Sequence, residues 1–178
     1  MSRRDEMLEM ALGAFAKRGY DGTSIADLAA ETGLSKAAYS YHFSGKDEIL
    51  VELADPLLSD LESLAGDRRV PASAEELEEL LDAYIDVLLA YRMVAVWVDG
   101  DKSVLSHPIV GKRLAGNNRR MRALIAGPDA TRRNQVRASA VLGAIWRPIR
   151  NLTDIDVAGY KQEVIATAVH GFASREHG

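Results

Sequence analysis

The chain has 178 residues, 47% of them hydrophobic and 27% charged, with 22 Lys+Arg against 26 Asp+Glu and a formal net charge of -4. That is enough to bury a core, either as one domain or as a small module plus a larger one. The lack of cysteine excludes disulfide and thiolate chemistry and suits a reducing cytoplasm; with neither a run of spanning length nor a secretory signal, no membrane partner is expected.

In chain order, Met7, Leu8, Ala11, Leu12 and Phe15 recur at helical spacing and predict an amphipathic helix that Gly19 ends. Thr23 or Ser24 then offers a hydroxyl N-cap, with Asp27 three residues after Ser24 as in a shortened capping box. Ile25, Leu28 and Ala29 share one face of this second helix, and Gly33 supplies the left-handed residue that closes it. Leu34 plugs the turn and Ser35 caps a third helix over 36–42, too short to be stable without neighbours. Ser44 and Asp47 repeat the capping pattern ahead of Ile49, Leu50, Leu53, Leu57 and Leu58. Two short capped helices joined by a tight turn, followed at once by a third capped helix start, are the order of a DNA-binding helix-turn-helix.

Strand signals are nearly absent beyond this point. A connecting helix is expected over 46–65, bent or interrupted by Pro56, followed by a loop over 66–71. Ser73 and Glu76 open a helix through Leu77, Leu80, Leu81, Tyr84, Ile85 and Leu88. The apolar stretch 91–98 runs to a break at Asp99-Gly100-Asp101, and Pro108 begins the next helix, which Gly127-Pro128 ends. A further helix is expected from about residue 129, disturbed at its end by Pro148, and Asp154 or Asp156 caps the last one.

From Gly19 to Leu50 the chain resembles the TetR family of bacterial transcription regulators, on Gly19, Tyr20, Thr23, Ser24, Ile25, Asp27, Leu28, Ala29, Gly33, Leu34, Ser35, Lys36, His42, Phe43, Lys46, Asp47 and Leu50. Two positions depart from the family pattern: Ser40 stands where many members carry Tyr, and Tyr39 where Leu or Val is usual. The resemblance implies an all-α fold, with a helix-turn-helix domain over 1–46 and a helical effector-binding and dimerisation domain over 47–178. It implies a ligand-responsive regulator, a repressor by family default, that binds a palindromic operator as a homodimer and is released by a small-molecule effector. The setting is the bacterial cytoplasm, at the nucleoid, and no cofactor is implied. Pro56 is the candidate pivot between the two parts.

The residues expected at DNA are Thr23, Ser24, Ser35, Lys36, Ala37, Ala38, Ser40, Tyr41, His42 and Lys46. Lys36 opens the recognition helix, to meet guanine acceptors or a phosphate, while Ala37 and Ala38 permit close approach to thymine methyls. Thr23, Ser24 and Lys46 would grip the backbone, with Arg3 and Arg4 as further anchors. His42 either packs locally or meets a phosphate; Tyr39 is assigned to the core. Residues 1–50 hold Arg3, Arg4, Lys17, Arg18, Lys36 and Lys46 against Asp5, Glu6, Glu9, Asp21, Asp27, Glu31, Asp47 and Glu48. Non-specific affinity, which grows with neutralised phosphates, is therefore expected to be weak.

Bulky Met93, Trp97, Met121 and Trp146 either line an effector cavity or pack as plain core. The last two helices carry small residues on their apolar faces, Ala138, Ala140, Gly143, Ala144, Ala166 and Ala168. The resemblance places the dimer interface there, on Leu142, Ile145, Val164, Ala168, Val169 and Phe172. An enzyme is not expected. The four histidines, at 42, 107, 170 and 177, lack the spacing of a helical metal site. Asp99, Asp101 and Ser103 begin like a calcium loop, but the twelfth position is Val110. Neither a phosphate loop nor a nucleophile elbow is present.

Overall fold

The computed structural model of the protein describes the backbone of residues 2–66 and 68–173, with side chains as far as residue 170. Among the described residues there are ten α-helices, one 3-10 turn and no strand. The helices form two compact units, each made of two chain segments: Met1–Leu58 with Met93–Leu114, and Ser59–Arg92 with Ala115–Gly178.

In the first unit, α1 (Arg3–Arg18) begins at Ser2 and Asp5, whose side chains each cap the other's main-chain amide. It ends at Gly19, where φ of +79° suits a residue without Cβ. Ser24 and Asp27 form the same reciprocal box at the start of α2 (Ile25–Thr32), so Ser24 rather than Thr23 is the cap. Gly33 follows in the left-handed conformation, and α3 (Lys36–His42) starts on Ser35, whose Oγ accepts from the Ala38 amide at 3.1 Å.

The next helix, α4 (Lys46–Gly66), is not started as the sequence predicts. The Ser44 amide and hydroxyl both donate to Glu48, each at 2.7 Å, and Asp47 is taken up by Tyr20 instead. Helix α6 (Arg92–Gly100), the short α7 (Lys102–Leu105) and the start of α8 (Val110–Ala126) complete the first unit. Its core holds Met7, Phe15, Leu28, Tyr39, Phe43, Ile49 and Leu50 from the first segment, and Trp97, Val98 and Val104 from the second. Helix α8 starts two residues after Pro108, because His107 Nδ1 accepts from the Val110 amide at 3.3 Å and caps the helix there.

The second unit packs α9 (Arg132–Asn151) and α5 (Ala74–Ala90) against α10 (Lys161–Ala173). Ser73 caps α5 and Thr131 caps α9, a few residues later than the sequence predicts for α9. Asp156 caps a 3-10 turn over Val157–Tyr160, and α10 follows directly. Lys161 bridges Asp82 and Asp86 of α5 at 2.8 and 2.6 Å. Arg92 donates to the carbonyls of Ile149 and Leu152 at 2.8 and 2.7 Å, satisfying acceptors at the end of α9. Neither proline ends its helix: α4 runs through Pro56, and Pro148 lies in the last turn of α9. Each removes one intrahelical hydrogen bond, a loss these helices carry without interruption.

Candidate nucleic-acid interface

Helix α3 has seven residues and two unlike sides. Tyr39 is fully buried, and Phe43 follows the helix into the same core. Lys36, Ala37, Ser40 and Tyr41 are exposed and fall in one arc of the helix, while Ala38 and His42 are half-buried at its margins. Tyr41 is the extreme case, 86% exposed, with its ring edge-on to His42 at 5.2 Å. The exposed arc ends in a cation, two small side chains and a phenol, a set that permits close approach to base edges and phosphates. Ser35 is exposed, but its hydroxyl holds the Ala38 amide.

Several residues assigned to the interface are engaged elsewhere. Thr23, expected at the DNA backbone, is buried, and its hydroxyl donates to the Gly19 carbonyl at 2.9 Å. Its neighbour Ser24 is exposed at the start of α2. The Lys46 ammonium donates to the Tyr20 carbonyl at 2.8 Å and lies 4.1 Å from the centre of the Tyr20 ring, leaving two of its three N–H donors over. Arg4 is no free anchor: it pairs with Glu48 at 3.0 Å and with Glu52, and lies over the Phe43 ring at 4.5 Å. Arg3 is exposed and pairs with Glu6 at 3.4 Å. Arg18 pairs with Glu31.

A group of residues that the sequence does not assign to the interface supports it from behind. Tyr20 is buried, its hydroxyl donates to Asp47, and its ring meets Phe15 and His107 edge-on. Burial, and then the Asp47 carboxylate, push the Tyr20 phenol well above its usual range. Asp101 reaches the Tyr20 amide at 2.6 Å and Trp97 Nε1 at 3.2 Å with one oxygen. Its other oxygen accepts from the Ser103 amide and hydroxyl at 3.0 and 2.5 Å. Burial raises the Asp101 carboxyl, but the donors from Ser103, Tyr20, Trp97 and Val104 outweigh that, and it sits below the usual carboxylate value. The available signal was the spacing Asp101-Lys102-Ser103, that of a helix N-cap, which reads equally as the start of a calcium loop.

The four bulky residues assigned to an effector cavity divide between the units. Met93 and Trp97 belong to the first, Met121 and Trp146 to the second. Trp97 and Met121 are buried in their cores, Met93 is 55% exposed and Trp146 half-buried. A cavity of about 450 Å³ in the second unit is lined by Arg68, Arg69, Pro71, Glu76, Glu79 and Leu80, none of them among the four. Of the residues assigned to a dimer interface, Ile145 and Ala168 are buried within the second unit, while Leu142, Val164 and Val169 are half-buried. The Phe172 side chain lies outside the described residues.

Residues 7–53 match the family described as bacterial regulatory proteins, tetR family. The HTH-type transcriptional repressor KstR2 of Mycobacterium tuberculosis is 31% identical over 111 residues, which are 60% of this chain and 55% of that protein. The chain thus spans about half the length of the curated relatives it matches. Among solved structures, PfmR of Thermus thermophilus, a TetR family transcriptional regulator, superposes with a TM-score of 0.72 at 24% identity, covering 100% of both chains. The structure of KstR2 of Mycobacterium tuberculosis gives the same TM-score at 20% identity, covering 96% of this chain and 94% of that one. These likenesses carry the fold across the whole chain: an N-terminal helix-turn-helix followed by a helical C-terminal part. The short two-sided α3, its capped neighbours and the matched residues together assign the segment 7–53 to the tetR family of bacterial regulatory proteins.

Proposed function

We propose that the protein is a DNA-binding transcriptional repressor that recognises a palindromic operator as a homodimer and is released by a small-molecule effector. The observation that carries this reading is the two-sided α3, which spends Tyr39 on the core and presents Lys36, Ala37, Ser40 and Tyr41 to solvent. Ser24, Ser35, Ala38, His42 and Lys46 complete the proposed contact set. Residues 1–46 form the DNA-reading part and residues 47–178 the effector-binding and dimerisation part, with Leu142, Val164 and Val169 at the dimer contact. The relatives support repression, since KstR2 is named a repressor and IcaR of Staphylococcus epidermidis a negative transcriptional regulator. No helix among the described residues is long and apolar enough to cross a membrane, which is compatible with work at the bacterial nucleoid.

The test is selection of genomic fragments by the purified protein at physiological salt, followed by titration of the enriched sequence against a scrambled one. A palindrome bound at least about a thousandfold more tightly than random DNA is the expected result. Equal affinity for the two sequences overturns the reading.

A further inference from the structure

We propose that Asp101 is a positioning residue for DNA recognition: from the start of α7 it clasps the Tyr20 amide and so sets the turn on which both ends of the helix-turn-helix are hung. The inference rests on the function proposed above.

Tyr20 is the hub of the turn. Upstream of α2, the Thr23 amide donates to the Tyr20 carbonyl at 3.3 Å while the Thr23 hydroxyl takes the Gly19 carbonyl. Downstream of α3, Lys46 donates to the same Tyr20 carbonyl at 2.8 Å and Asp47 accepts the Tyr20 hydroxyl. The α2–α3 pair is therefore anchored at its beginning and its end on one residue. That residue's own amide is held by Asp101 Oδ2 at 2.6 Å, across 81 residues of sequence. Gly19, directly before it, has φ of +79°, a conformation that residues with a Cβ rarely adopt, so the chain reverses there at a steric cost that only glycine avoids.

The two carboxylate oxygens do separate work. Oδ1 caps α7 through the Ser103 amide, the Ser103 hydroxyl and the Val104 amide. Oδ2 makes no hydrogen bond to that cap; among the described residues it accepts from Tyr20 and Trp97 alone. A cap needs one oxygen, and Asp, Asn and Ser serve about equally well there. The clasp needs the second oxygen as an acceptor. Serine has none to spare, and asparagine would present an NH2 group to two N–H donors.

The test compares wild type, Asp101→Ser, Asp101→Asn and Val104→Ala in the full chain. Operator affinity is measured on the fragment selected by wild type, and exchange of the Tyr20 amide by NMR. Loss of the clasp lowers the fraction of protein with a competent turn, so both Asp101 variants should bind roughly tenfold more weakly. Their helix content should be unchanged and their Tyr20 exchange faster, with Asn at least as impaired as Ser. Val104→Ala removes part of the one buried side chain of the same helix without touching Oδ2, and should keep affinity within about twofold. Wild-type affinity in both Asp101 variants overturns the clasp while leaving the DNA-binding reading intact. An equal loss in Val104→Ala also overturns it, in favour of plain destabilisation. Failure of wild type to select any sequence overturns the reading of function itself, and the proposal with it.

Discussion

The indole of Trp97 lies stacked on the ring of Phe15, the centroids 5.2 Å apart and the planes 16° from parallel. A residue on α6, assigned by its sequence to an effector cavity or to core, thus packs on the first helix of the chain. Both rings are buried, and aromatic pairs of this kind contribute about 0.5–1.5 kcal/mol beyond their burial. Trp97→Ala should cost roughly 3–5 kcal/mol, read as a lower urea midpoint. A loss below about 1 kcal/mol would mean that the stack contributes nothing to stability.

Tyr39 carries a second consequence of packing. Its hydroxyl is buried with no hydrogen-bond partner among the described residues. A buried orphan costs about 1–3 kcal/mol, so Tyr39→Phe should raise stability by on the order of 1 kcal/mol. Thermal unfolding of the two proteins decides it: an unchanged or lower midpoint means that the hydroxyl is satisfied in solution.

For the exposed arc of α3 the measurable quantity is the salt dependence of operator binding. Lys36→Ala should weaken binding and lower the salt slope by about one if the lysine meets a phosphate. If it meets a base instead, the loss should be about 1–3 kcal/mol and confined to one operator position. Unchanged binding to every sequence would remove Lys36 from the interface.

The acid limb of stability should report on Asp101. Its carboxyl is held below the ordinary 3.8 in the folded protein by the hydrogen bonds it accepts, against the effect of burial. A lowered folded value means that the unfolded chain takes up the proton first. The contribution is therefore complete above roughly pH 5 and is lost as pH falls through the folded value. Urea midpoints at falling pH should drop less steeply in Asp101→Asn than in wild type. Parallel curves would show that this carboxylate does not contribute to the acid limb.

The proposed dimer separates two kinds of residue on α9. Leu142 is half-buried and Ile145 wholly buried within its own unit. Leu142→Glu should give a folded monomer by sedimentation, with palindrome binding reduced. Ile145→Glu should unfold the second unit, since an unpaired charge in a core is among the costliest substitutions. A Leu142→Glu protein that remains dimeric places the contact elsewhere.

Much of the helix-turn-helix was legible because its signals are local. Ser24 with Asp27, Gly33 and Ser35 act over three or four residues, and each stands in the structure where its spacing put it. Where a hydroxyl had two acceptors within reach, spacing could not choose. Ser44 takes Glu48 rather than Asp47, because the Tyr20 hydroxyl takes Asp47. Thr23 lies next to the true cap and carries the same chemical group, yet its side chain turns inward to the Gly19 carbonyl. Nothing within three residues of Thr23 announces that difference.

By itself, then, the sequence determined the helical class, the order of helices and caps, and the motif by which residues 7–53 match the tetR family. These follow from propensity, periodicity and short-range hydrogen bonding, all written in neighbouring residues. Only the tertiary structure decided that α6 and α7 join the first unit, that Trp97 is part of its core, and that Asp101 holds Tyr20. The physical reason is distance along the chain. A carboxylate three residues from a hydroxyl can be matched to it by counting, whereas one 81 residues away meets its amide only when packed helices have brought the two together.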